Sequence, residues 1–252
     1  MKRTFSTLFA LSASTLLGGT AATFAADGAT VAFLMPDQAS TRYEQHDFPG
    51  FKAEMEKLCA TCIVIYQNAN ADAAEQQQQF NSVLAQGAKV VVLDPVDSTA
   101  AASLVAQAQA QGVKVIAYDR PIPDKAPDFY VSFDNKGIGF AIAKSLVEHL
   151  KASGVAEGAG VLEINGSPTD AAAGLIRDGI HEALKDSGYV TLAEFDTPDW
   201  APPKAQEWAA GLRSGGHEDG GGFDAMQVAQ VFFFIKSVDV VHNHQAGVVE
   251  HP

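Results

Sequence analysis

The sequence predicts an α/β protein of doubly wound parallel sheets, with a near-complete first lobe and a partial second one. Three observations carry this. Short apolar runs alternate with longer amphipathic segments from Thr30 onward, the pattern of buried parallel strands joined by crossover helices. The alternation restarts after residue 134, so a second unit follows the first. Of 252 residues, 47% are apolar and 19% charged, ordinary for a chain that builds a core.

The first unit begins with an apolar strand at Thr30–Leu34. Phe48–Leu58 follows as a helix with Phe51, Met55 and Leu58 on one face. Ile63–Tyr66 is a strand. Asp72–Gln86 is a polar helix with Phe80, Val83 and Leu84 turned inward and Asp72 able to cap its start. Val90–Leu93 is a continuous apolar strand, Ala100–Gln111 a helix ended by Gly112. Val113–Ala117 and Phe129–Ser132 complete the strands of this unit. The second unit reads as helix Ile138–Lys151, strand Gly160–Ile164, helix Asp170–Ser187, strand Val190–Phe195 and a helix opening at Pro202. It is short, because two full α/β lobes need on the order of 250 to 300 residues.

Both ends differ from this pattern. Lys2 and Arg3 precede the mostly apolar stretch Phe5–Leu17, and small residues follow from Gly18 to Ala26. That is the layout of a secretory signal peptide, cleaved after Ala25 or Ala26. The apolar run is short for the ~20 residues of a membrane span, and no cysteine lies near the cleavage point to carry a lipid. An exported, periplasmic protein is expected. From Arg213 the composition changes: glycine-rich at 215–222, three phenylalanines at 232–234, and an unpatterned His-rich end. The division is thus 1–26 signal peptide, 27–134 first lobe, 135–212 partial second lobe and 213–252 divergent, disordered tail.

Ligands of open parallel sheets bind beyond the carboxyl ends of the strands. The residues following the first-unit strands are Asp37, Gln38, Arg42 and Tyr43, then Gln67 and Asn68, then Asp94, then Asp119 and Arg120. Arginine brings a rigid fork of donors, aspartate acceptors, and tyrosine a flat apolar face. That mixture suits a polyhydroxyl ring. Arg120, directly after a buried strand, reads as a site residue, and Asp94 reads better as a solvated loop or capping residue.

Other chemistries are disfavoured. The net charge of -13 repels phosphate backbones, so no nucleic-acid partner is expected. There is no Gly-x-Ser-x-Gly, no His-Glu-x-x-His and no Walker sequence. The loop after the first strand has no glycine cradle for a dinucleotide. Neither cofactor nor metal is expected. Cys59 and Cys62, the two cysteines, follow a helix rather than open one. They read as a structural disulfide or a free pair rather than a redox site. His242 and His244 read as part of the tail.

Tyr118-Asp119-Arg120 and the run Phe129–Asn135 resemble the xylose- and ribose-type sugar-binding proteins of ABC importers, nearest the xylose-binding kind. Further matches are Val91–Pro95, Gly112–Arg120, Gly166–Asp170 and Asp199-Trp200, within a span from Thr30 to Trp208. The resemblance implies a type I periplasmic-binding-protein fold, binding rather than catalysis, and a monomer. It implies two lobes closing over one monosaccharide, a pentose such as xylose, for delivery to an ABC permease in the inner membrane. By position, Arg42 would bond sugar hydroxyls and Tyr43 would pack on the ring. Asp119 and Arg120 would form the central hydroxyl-binding pair, and Trp200 would stack on the sugar. Asp134 and Asn135 would form the first hinge crossing. Where the family places Asn or Arg after Asp170, this chain has Ala171–Ala173; that contact is absent or comes from Asp170. The family's remaining second-lobe pattern is not recognisable after Arg213, as a frameshift or gene-model error would produce. A sensory module, an exported sugar-acting enzyme or a non-functional product are the alternatives.

Overall fold

The computed structural model describes residues 28–214 and a strand at 247–250. The signal-peptide reading and most of the expected tail fall outside the described residues. Five parallel strands form the larger sheet: β1 (Thr30–Met35), β2 (Ile63–Asn68), β3 (Val90–Leu93), β4 (Lys114–Tyr118) and β5 (Phe129–Ser132). Their spatial order is β2-β1-β3-β4-β5. Helices α1 (Phe48–Leu58), α2 (Ala73–Ala85) and α3 (Ala101–Ala110) cross between them.

Alternation along the central strands explains the two layers. Ala32 and Leu34 of β1, with Val91 and Leu93 of β3, face α2 and α3, where Phe80, Val83, Leu104 and Val105 complete one core. Phe33 and Met35 face the opposite way, toward α1. There the rings of Phe33 and Phe51 stack with centroids 4.7 Å apart. The Asp72 carboxylate accepts from the backbone N–H of Ala74 and Glu75, starting α2. Leu58 departs from the predicted inward face: it is 82% exposed. It is the last residue of α1, where the chain leaves the sheet for the Cys59–Cys62 disulfide that leads into β2.

A smaller parallel sheet pairs β6 (Gly160–Asn165) with β7 (Val190–Asp196). Helices α4 (Asn135–Ala152) and α5 (Ala171–Leu184) accompany it, and α6 (Pro202–Ser214) follows. Helix α4 starts three residues before the predicted Ile138 because Asp134 caps it, accepting from Gly137 N–H at 2.9 Å. Helices α4 and α5 touch backbone to backbone. A Cβ at Gly139 would overlap the Ile176 carbonyl, and one at Gly179 the Lys136 carbonyl. Leu146, Leu150, Val161, Leu184 and Tyr189 form the core beneath them.

The unpatterned reading of 213–252 needs correction at two places. Helix α6 runs on to Ser214, and β8 (Gly247–Glu250) pairs antiparallel with β5. The segment Gly-Val-Val-Glu is too short for periodicity to reveal, and its partner is remote in sequence. No helix among the described residues is long and apolar enough to cross a membrane.

Candidate functional site

The carboxyl ends of β1, β3, β4 and β6 converge, and the polar residues that follow them meet there. The turn after β4 is set by its backbone. Asp119 adopts a left-handed conformation, φ 60°, sparsely populated for a non-glycine residue. Its N–H donates to the Val131 carbonyl, and its own carbonyl accepts from Ser132 Oγ at 2.6 Å and Tyr130 Oη at 3.2 Å. This fixes Asp119 and Arg120 with side chains toward different partners.

One group forms around Asp119. Arg42 donates to Asp119 Oδ2 at 2.6 Å and lies 3.0 Å from Asp47 Oδ2. Its guanidinium sits 5.2 Å from the Tyr43 ring centroid and 5.3 Å from that of Phe133, within cation–π range. Burial opposes the Arg42 charge, but Asp119 and Asp47 outweigh it and raise its pKa. Tyr43 opens a π-helical turn, Tyr43–Asp47, that turns it inward. It is 3% exposed and belongs to the α1-side core, so only its hydroxyl, 3.0 Å from Asp119 Oδ2, reaches the cluster. An open ring face for ligand packing, as the resemblance implied, is not what this conformation presents.

The second group surrounds Arg120, which is buried. Its Nη2 lies 2.7 Å from Asp37, its Nε 3.2 Å from Asp170 and 3.5 Å from Asp94, and its Nη1 donates to the Pro95 carbonyl at 3.1 Å. One guanidinium thus faces three carboxylates drawn from both sheets. Asp94 is wholly buried, and neither of its oxygens has a hydrogen-bond partner. Burial drives its pKa well above the ordinary value, and Arg120 offsets only part of this. The solvated-loop reading of Asp94 is therefore corrected. The sequence signal was its place directly after an all-valine-and-leucine strand, the same signal that selected Arg120. Asp37 was visible by the same rule.

Asp170 divides its carboxylate. Oδ1 caps α5 by accepting from Ala172 N–H at 2.8 Å. Oδ2 accepts from Trp200 Nε1 at 3.0 Å and faces Arg120. Burial raises its pKa, against the pull of Arg120. Trp200 ends a short turn in which Asp199 and Trp200 both have positive φ. Its ring lies over Gly166, where any Cβ would overlap it. Direct bonds also join the sheets here: Ser98 N–H to the Thr169 carbonyl at 3.0 Å, and Ala171 N–H to Ser98 Oγ at 3.1 Å. A cavity of about 150 Å³ lies beside them, lined by Asn165, Gly166, Ser167, Asp170, Arg177 and Asp196 among others. The Asn165 amide is buried beside the Glu163 carboxyl. Of the expected hinge pair, Asp134 caps α4, and Asn135 donates to Ser132 Oγ at 3.2 Å, one bond from the Asp119 carbonyl.

The sequence model of the periplasmic binding protein domain matches residues 31–233. The chain belongs to the periplasmic binding protein domain family. This is a family of binding components rather than enzymes. The D-xylose-binding periplasmic protein of Escherichia coli is 34% identical over 165 residues, 64% of this chain and 48% of that protein. The multiple sugar-binding periplasmic receptor ChvE of Rhizobium radiobacter is 32% identical over 210 residues, 78% of this chain and 58% of that one. The chain thus spans about half the length of these curated relatives. Among solved structures, an ABC transporter solute-binding protein from Clostridium phytofermentans with bound β-D-glucose aligns with a TM-score of 0.66 at 26% identity. That alignment covers 79% of this periplasmic binding protein and 63% of the other.

Proposed function

We propose that this periplasmic binding protein captures a monosaccharide between two lobes, residues 27–134 and 135–212, for an ABC importer in the inner membrane. The observation that carries the reading is the Arg120 cluster. A guanidinium and three carboxyl groups are buried where the two sheets meet, and neither oxygen of Asp94 has a hydrogen-bond partner. A carbohydrate offers vicinal hydroxyls that donate and accept together, which is the complement of such a set. Relatives named for xylose, multiple sugars and ribose support the substrate class. A pentose of the xylose type is the preferred ligand, because two xylose-binding relatives reach 34% and 35% identity.

In this reading the contacts joining Trp200, Asp170 and Arg120 form the closed cleft. Asp37, Asp94, Arg120 and Asp170 are all buried, so entry of a sugar requires the lobes to part, as in hinge-bending binders. Residues 132–135 carry the crossing, with Asp134 and Asn135 anchoring it. Arg42 and Asp119 bond hydroxyls on one side, and Tyr43 holds Asp119 in place. Trp200 covers the sugar from the second lobe. A signal peptide over residues 1–26, periplasmic location and a monomeric state complete the proposal.

Calorimetric titration of the purified chain with D-xylose, D-ribose, L-arabinose and D-glucose tests it. Saturable binding of a pentose in preference to glucose is the expected result. No heat from any of the four sugars with a folded chain would overturn it.

A further inference from the structure

Away from the cleft, Glu163 of β6, His181 of α5 and Glu194 of β7 place one ligand atom each within 4.8 Å of one another. We infer that these three side chains form a binding site for a divalent transition metal such as Zn²⁺. The inference stands on three observations independent of the sugar site.

The first is the register. Glu163 and Glu194 are directly opposed on neighbouring strands, with side chains on one face. Like charges placed so destabilise a sheet unless a cation lies between them. Among the described residues, the ion-pair partner of both is His181 alone, whose imidazole is charged only when protonated.

The second is burial. The Glu163 side chain is 5% exposed, with only His181 and the neighbouring Asn165 amide to offset the loss of solvent. A buried carboxylate is costly, and metal coordination is one of the two ways such a charge is accommodated.

The third is geometry. His181 Nε2 lies 3.1 Å from Glu163 Oε2 and 3.4 Å from Glu194 Oε1. Zinc bonds of roughly 2.0–2.1 Å in a tetrahedron set ligand atoms about 3.3–3.4 Å apart. The side chains need little rearrangement to take up an ion. They come from two strands and a helix, rigid elements that hold a site. His181 and Glu194 are about two-fifths exposed, leaving an entry path and a fourth position for water. One imidazole and two carboxylates suit zinc over calcium or magnesium, which take oxygen ligands.

The test is calorimetric titration of the EDTA-treated full chain with Zn²⁺, checked by the visible spectrum with Co²⁺ in its place. One equivalent of Zn²⁺ and the absorption of tetrahedral cobalt are expected. His181→Ala and Glu163→Gln should each weaken binding by at least about tenfold, since losing a ligand costs no less than losing a group that orients one. Glu194→Gln controls for folding: without metal its thermal midpoint should equal or exceed that of the parent, because the like-charge pair is gone, while Zn²⁺ affinity falls. Absence of saturable binding would overturn the inference. So would full affinity in His181→Ala, or loss of binding on replacing His242 and His244 instead.

Discussion

Replacing Arg120 with alanine tests the reading of the cleft most directly. The substitution removes the guanidinium that pairs with Asp37, Asp94 and Asp170. Those carboxylate side chains are 7%, 0% and 4% exposed, so solvent cannot compensate. Breaking a buried ion pair by deleting one partner costs about 3–5 kcal/mol. At about 2–4 °C per kcal/mol for a chain of this size, the thermal midpoint should fall by about 6–20 °C. Scanning calorimetry reads the fall, and sugar titration below the new midpoint should show no binding. The variant Arg120→Met with Asp94→Leu replaces charge by apolar volume and should recover part of the lost stability without recovering binding. A midpoint within about 2 °C of the parent, or undiminished sugar affinity, would refute the cluster as both brace and binding group.

Asp94→Asn should change the pH dependence of stability. Burial raises the folded pKa of Asp94, so its contribution is complete below the unfolded value of about 3.9 and is lost as pH rises through the folded value. The variant should gain on the parent from about pH 4 upward in urea melts; a constant gap up to about pH 8 would count against this. Gly139→Ala and Gly179→Ala should each cost about 1–3 kcal/mol by forcing α4 and α5 apart, measured by the same melts. Gly166→Ala should displace the Trp200 ring and weaken sugar binding, read by tryptophan fluorescence. Reduction of Cys59–Cys62 should lower stability by no more than about 2 kcal/mol, because the closed loop is so short.

Most of the fold was legible because its signals are local. Each buried strand of the larger sheet is an apolar run bounded by polar turns, and Asp72, Asp134 and Asp170 precede helices as caps do. The site was legible in part for the same reason: residues after strands collect at one edge whatever the loops do. Partners across sequence were not. That Arg120 would meet Asp170, fifty residues on, depends on how the two sheets sit together, which no periodicity encodes. Glu163, His181 and Glu194 share no motif spacing, because their meeting depends on the register of β6 against β7. Asp94 was misjudged because a carboxylate after a strand reads as a cap or as a site with equal ease; only burial separates the two. Leu58 matched the helical stripe but lies past the last turn that the sheet supports.

The two-stranded sheet described above carries a consequence for how the molecule comes apart. Pairing of β6 with β7 buries little on one side, where Val190 and Leu192 remain 47% and 38% exposed. Two strands alone are marginal in water. The larger sheet, by contrast, is covered on both faces. Backbone amides of β6 and β7 should therefore exchange with deuterium through a low-energy partial opening, well before those of β1, β3 and β4. The hydrogen bonds at Ser98 then act as a latch: while they hold, the weaker half borrows its order from the stronger. A ligand bridging Arg120 and Trp200 would slow exchange most in the half that contributes the fewer strands.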